Sequence, residues 1–84
     1  MKMGWKEIMQ QVEQLNDGQT LKFKIPQTFG GGMAVIELNQ NYSKSGGKKY
    51  MLKLGKDENV SPYFDSDKSK DLAKWVAERM GELV

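Results

Sequence analysis

The sequence contains no cysteine and no histidine among its 84 residues. Without cysteine, the chain can form neither a disulfide framework nor a thiolate metal site. The same two absences remove the best nucleophile and the side chain that most often serves as a general base. The remaining polar residues form no carboxylate pair, triad spacing or cofactor fingerprint. We therefore expect a protein that is not an enzyme and that binds no metal and no cofactor.

Long apolar runs are also missing. No segment approaches the about 18 apolar residues that a membrane-spanning helix needs. The first residues, MKMGWKEIMQQ, lack the apolar core of a signal peptide. We expect a cytoplasmic protein with no membrane partner. The length leaves room for one domain, residues 1–84, and a hydrophobic fraction of 38% is typical of a folded globular chain.

Two stretches have the apolar spacing of amphipathic helices. The first covers residues 4–16 and should end where Gly18 can adopt a left-handed conformation. The second begins at Ser66, and either Asp65 or Ser66 can cap it. The apolar positions are Trp5, Ile8, Met9, Val12 and Leu15 in the first helix, and Leu72, Trp75, Val76, Met80 and Leu83 in the second.

Between these helices, apolar and polar side chains alternate with the period of strands that bury one face. The predicted strands cover residues 20–25, 33–40 and 48–54, and residues 60–64 can add a fourth, which Pro62 would confine to an edge. The sequence predicts an α+β fold in the order α-β-β-β-α. Both helices should pack on one face of a three-stranded antiparallel sheet, because that sheet must cover its apolar side.

Positive charge is concentrated in the predicted sheet. Residues 19–56 contain seven lysines and one acid, Glu37, for a net charge of +6, whereas the rest of the chain carries −4. Four lysines should stand on the uncovered face and two should extend the patch into the following loop. They are Lys22, Lys24, Lys49 and Lys53 on the face, and Lys44 and Lys48 in the loop segment NYSKSGGKK.

A cluster of cations on one side of a small domain is typical of nucleic-acid binding, because phosphates attract cations whatever the base sequence. Phe29 or Tyr42 could then contact sugars or bases. Sequence specificity should be weak, because the one arginine lies on the second helix and the strand aromatics Phe23 and Tyr50 face the core.

A different interpretation assigns the lysines no binding role. Lysine is a common residue at solvent-facing strand positions, where it discourages edge-to-edge association, and Glu37 would pair with it across the strands. The chain would then be a protein-interaction or adaptor domain that engages a protein partner. Association through the helix faces, including homodimer formation, stays open at this stage.

The segment PQTFGGGMAV also has two interpretations. Its three glycines could hold a phosphate through backbone N–H groups, but such loops lead into a helix, whereas a strand follows this one. We therefore expect a bend between two strands, with Phe29 folded back on the edge of the core. If Phe29 is exposed, it could stack on a base beside Lys24.

The element order is similar to that of double-stranded RNA-binding domains. The segment Lys68-Ser69-Lys70-Asp71-Leu72-Ala73-Lys74 resembles the lysine-rich start of their last helix. The Gly-Pro-x-His loop of that family is missing, and an acid interrupts the lysine cluster. The order is also similar to that of DNA-binding modules in which three strands precede one helix. Similar topology implies a similar fold, and function depends on the site.

Overall fold

The computed structural model describes residues 4–40 and 47–84. It has an α+β fold, as predicted, with two helices and one open antiparallel sheet of five strands in the order β4-β3-β2-β1-β5. The elements are α1 (Trp5–Glu13), β1 (Thr20–Lys24), a short 3-10 helix (Gln27–Phe29), β2 (Met33–Leu38), β3 (Tyr50–Gly55), β4 (Ser61–Ser66), α2 (Ser69–Glu78) and β5 (Glu82–Leu83).

The sheet has five strands instead of three, so the predicted α-β-β-β-α order lacks two of them. The fourth strand that the sequence allowed at residues 60–64 is present as β4, whereas β5 was not predicted. Five of the six residues of β4 pair with β3, and the register between the strands shifts between Leu52 and Lys53. Pro62 is confined to this edge strand, as expected for a residue that cannot donate a backbone hydrogen bond. At the other edge, Leu83 of β5 pairs with Phe23 of β1.

The hydrophobic core lies between one face of the sheet and both helices. Its largest fully buried side chains are Phe23, Ile36 and Leu52 from the sheet, and Ile8, Val12, Leu72 and Val76 from the helices. Each such side chain contributes about 1.5–3 kcal/mol by leaving water. The alternation predicted for β2 and β3 is confirmed, because Ala34 and Ile36 lie in this core together with Tyr50 and Leu52.

The first helix is shorter than the sequence predicted. It ends at Glu13, and the chain reaches Gly18, whose φ is 85°, only in the later turn that leads to β1. Leu15 lies beyond the helix end but is still buried in the core. The apolar spacing continues past the end of α1 because Leu15, in the non-helical segment that follows, also packs in the core.

The second helix begins at Ser69, with Lys68 as its N-cap residue and no capping hydrogen bond from that side chain. Asp65 and Ser66 are the last residues of β4, so the prediction that one of them caps the helix was wrong. The Ser69 hydroxyl donates to a Glu13 carboxylate oxygen at 3.1 Å, which links α2 to α1. Within residues 4–40 and 47–84, neither helix has the length and apolar character needed to cross a bilayer.

Candidate functional site

The sheet face opposite the helices contains three of the predicted binding residues, Lys22, Lys24 and Lys53, and we call it the open face. Directly paired residues of antiparallel strands project from the same side, so the strand register defines its members. The members lie in three neighbouring rows that cross the strands. The middle row contains Lys22, Val35, Lys53 and Pro62, and the row on one side of it contains Lys24 and Met33. The row on its other side contains Thr20, Glu37, Met51 and Asp65.

Lys22 and Lys24 lie on successive outward positions of β1, and both are exposed. Across residues 4–40 and 47–84, neither forms an ion pair. Val35, flanked in its row by Lys22 and Lys53, is only 5% exposed although no helix covers it. Its burial is consistent with lysine side chains that lay their aliphatic stems over an apolar neighbour and hold their ammonium groups in water.

Lys53 differs from these two lysines because it has an acidic partner. Its ammonium lies 2.8 Å from a Glu37 carboxylate oxygen, and the two side chains are 31% and 19% exposed. This is the cross-strand pairing that the second interpretation of the sequence assigned to Glu37. A phosphate that binds Lys53 must compete with this carboxylate.

The two additional edge strands bring further acids to the open face. Asp65 of β4 is opposite Met51, and Glu82 of β5 is opposite Lys24. Asp65 accepts hydrogen bonds from the backbone N–H of Lys48 at 3.1 Å and from the amide of Asn39 at 3.3 Å. The open face thus carries charges of both signs.

Lys48 and Lys49 lie just before β3, at the end of the sheet opposite Lys24. The backbone N–H of Lys49 donates to Asp67 at 2.9 Å, and the Lys48 ammonium lies 3.9 Å from the same carboxylate. The Lys49 ammonium is 5.4 Å from the centroid of the Tyr50 ring. The other predicted contact residues of this corner, Tyr42 and Lys44, lie outside the described residues.

The glycine segment forms a bend between β1 and β2. Gly30, Gly31 and Gly32 have φ values of 101°, 69° and 87°. The N–H of Gly30 donates to the carbonyl of Gln27, and the N–H of Gly31 donates to that of Pro26. These two groups are therefore engaged within the loop itself. A Cβ on Gly32 would lie 2.4 Å from the carbonyl oxygen of Gly55, so the loop packs directly on the end of β3.

Phe29 ends the 3-10 helix and is 45% exposed. It lines a pocket of about 310 Å³, which we call the loop pocket, together with Lys56 after β3 and Trp75 and Arg79 at the end of α2. Sequence analysis missed these three partners. No local pattern could have identified them, because the packing of α2 on the sheet brings them to the glycine loop.

A second group of cations surrounds Trp5 on the helix layer. The ammonium groups of Lys6, Lys70 and Lys74 lie 5.7, 5.6 and 5.0 Å from the centroid of the Trp5 ring. Lys70 and Lys74 are four residues apart and therefore share one side of α2. This spacing is visible in the sequence, although the predicted binding residues were all placed on the sheet and its loops.

Comparisons of the chain with protein-family models, with curated proteins and with solved structures found no significant match. Across the ranges that the structure describes, no three acidic, histidine or cysteine side chains form a group that could hold a metal ion. Function must therefore be inferred from the open face, the loop pocket and the cations around Trp5.

Proposed function

We propose that the protein is a small non-enzymatic binding module that engages nucleic-acid phosphates through the lysines of its open face, with weak sequence specificity. The observation that carries this proposal is the position of Lys22 and Lys24. Both are exposed on one strand, and no ion pair within the described ranges neutralises either of them. Release of counterions from a phosphate backbone favours contact with such cations.

The other lysines contribute less to this proposed contact. Lys53 exchanges its Glu37 partner for a phosphate, and this exchange reduces the net gain. Lys48 and Lys49, at the far end of the sheet, extend the contact beside Asp67. Lys44, which lies outside the described residues, is proposed to contribute a further cation. Tyr42 and Phe29 are proposed to contact sugars or bases.

Weak specificity follows from the side chains available on the open face. The one arginine of the chain, Arg79, lies at the end of α2, so no arginine on the sheet can read guanine with two hydrogen bonds. Phe23 is fully buried and Tyr50 is 5% exposed, both on the covered side. The strands therefore place neither ring where it could stack on a base.

A protein-interaction or adaptor domain is the alternative, and an exposed aromatic cluster supports it. Tyr63 is 59% exposed, and its ring centroid lies 5.7 Å from that of Phe64 and 5.8 Å from that of Trp75. Tyrosine and tryptophan are enriched among the residues that dominate protein interfaces. Association through this cluster should depend little on salt, in contrast to phosphate binding.

The test compares two variants that remove the same charge from opposite layers of the molecule. K22Q/K24Q removes two cations from the open face, and the matched control K70Q/K74Q removes two from the helix layer. Affinity for labelled single- and double-stranded DNA and RNA is measured over a series of salt concentrations. The slope of log K against log salt should become shallower by about 1.8 on duplex DNA for K22Q/K24Q and stay unchanged for the control.

Two outcomes would overturn the proposal. A larger loss of slope in K70Q/K74Q than in K22Q/K24Q would place the phosphates on the helix layer. Absence of salt-dependent binding to every polymer would favour the protein-interaction alternative.

A further inference from the structure

The loop pocket has the features of a site for one nucleotide. Its volume of about 310 Å³ lies at the lower end of the range of about 300–1,000 Å³ that is typical of small-molecule sites. Ile25, Met33 and Leu54 supply apolar surface at the end of the sheet, and the glycine loop and the end of α2 form the sides. The pocket therefore combines an apolar surface with walls from separate elements.

The charged side chains that line this pocket are both cations, Lys56 and Arg79. The acids that follow Lys56 in the chain, Asp57 and Glu58, line a neighbouring hollow beside Lys24 and Val84. Asp57 also accepts a hydrogen bond from the backbone N–H of Asn59 at 2.8 Å. The charge in the loop pocket itself therefore favours an anionic ligand.

Arg79 is held in one position within the pocket wall. Its guanidinium carbon lies 4.0 Å from the centroid of the Trp75 ring, and one of its N–H groups donates to the Trp75 carbonyl at 3.0 Å. A guanidinium group has five N–H donors in a planar fork that matches the oxygens of a phosphate. No carboxylate among residues 4–40 and 47–84 forms an ion pair with it. Its remaining donors are thus available to a phosphate.

Phe29 supplies an aromatic surface to the same pocket from the 3-10 helix. Its backbone N–H donates to the Pro26 carbonyl at 2.9 Å, which fixes the 3-10 helix, and its ring is 45% exposed. Exposed aromatic side chains of this kind bind single-stranded nucleic acid by stacking on its bases. A ligand that contacts both Phe29 and Arg79 needs a flat aromatic group joined to an anionic group. A nucleotide has both groups.

We propose that the loop pocket holds one nucleotide of a bound strand, with its base against Phe29 and its phosphate at Arg79 and Lys56. This inference rests on the proposed nucleic-acid function and deepens it. The lysines of the open face would contact phosphates, and the loop pocket at the end of the sheet would add a site that contacts a base. Shared lining residues, Met33 and Lys56, connect the loop pocket to the hollow beside Lys24.

The probe is uridine 5′-monophosphate, titrated into the isotopically labelled protein and followed by amide and indole chemical shifts. Shifts are expected at Gly30, Gly31 and the Trp75 indole, with the indole of Trp5 as an internal control. Ribose 5-phosphate lacks the base and should bind at least about fivefold more weakly, the loss of about 1 kcal/mol that one stacked base contributes. Uridine lacks the phosphate that Arg79 and Lys56 would contact, and it should also bind more weakly.

Three variants test the assignment. F29A and R79K should each weaken nucleotide binding about fivefold or more, because R79K keeps the charge but loses the planar fork. K6Q is the matched control, since it removes a cation that lies over Trp5 instead of Trp75, and it should bind as tightly as the original protein. Amide spectra of all three variants without nucleotide report whether the fold is intact.

The inference is overturned if uridine 5′-monophosphate produces no shifts in the loop pocket, or if a folded F29A variant binds it unchanged. Pocket shifts caused by a protein partner, with no response to nucleotide, would also overturn it. Failure of the open-face proposal looks different, because K22Q/K24Q should alter the salt slope of oligonucleotide binding and leave binding of the mononucleotide unchanged.

Discussion

The two faces of the sheet are specified by different interactions. On the covered face, Phe23, Ile36 and Leu52 are fully buried beneath the helices. On the open face, Lys22 is exposed in the same row as the buried Val35, and Lys53 forms an ion pair with Glu37. The covered face thus supplies most of the stability. The open face can change its charges at small cost, which suits a binding surface.

Substitution of Leu52 and of its neighbour Met51 should give the largest difference in stability between the two faces. Leu52→Ala should destabilise the protein by about 2–5 kcal/mol, because it leaves a cavity in the core. Met51→Ala, on the half-buried open side of the same strand, should cost about 1 kcal/mol. Urea denaturation followed by tryptophan fluorescence measures both free energies of unfolding. Equal losses would mean that the open face is as tightly packed as the core.

A substitution at Gly32 tests whether the end of the sheet is packed as tightly as the core. Gly32→Ala places a methyl group 2.4 Å from the Gly55 carbonyl oxygen at a φ of 87°, so we expect a loss of about 2–3 kcal/mol. Gly30→Ala is the control. The φ of Gly30 is also positive, but an added Cβ there would have no atom within 4 Å beyond its chain neighbours, so stability should fall by only about 1 kcal/mol. Thermal unfolding ranks the two variants. A smaller loss for Gly32→Ala would contradict the close packing of the loop on β3.

The Glu37–Lys53 ion pair should have the smallest effect on stability. A double-mutant cycle with Glu37→Gln and Lys53→Gln should give a coupling energy of about 0.5–1 kcal/mol, reduced by added salt. Glu37→Gln alone removes the carboxylate that a phosphate must displace from Lys53, so it should tighten binding to duplex DNA and leave the salt slope nearly unchanged. An unchanged affinity would show that Lys53 takes no part in the contact.

The elements with strong periodicity could be predicted from the sequence. β2 and β3 alternate regularly because one face is buried, so their orientation was correct. β5 has two paired residues, too few to establish any period. β4 extends past its predicted end to Ser66, and a register shift at Tyr63 interrupts its regular alternation. The ends of α1 and α2 were misplaced because buried or hydrogen-bonded residues continue beyond the helices.

The candidate site was less predictable than the fold. The exposure of Lys22 and Lys24 followed from strand parity. The acids Asp65 and Glu82 reach the open face only through edge strands that the sequence indicated weakly or not at all. Phe29 and Arg79 line the same pocket because of the way α2 packs across the sheet. Neither residue belongs to a sequence motif that would have identified this pocket.

The hydrogen bond between Ser69 and Glu13 joins residues 56 positions apart, whereas β1, β2 and β3 each pair with the next strand along the chain. Closing a loop of this length costs about 3.5 kcal/mol of chain entropy before any helix contact forms. Sheet formation should therefore precede helix docking, and the apolar side of the sheet stays partly uncovered until α2 arrives. Pulse-labelled hydrogen exchange would show this as early protection of amides in β2 and β3 and late protection in α1 and α2, and simultaneous protection would contradict it. During synthesis, this interval is when the growing chain would be most prone to aggregate.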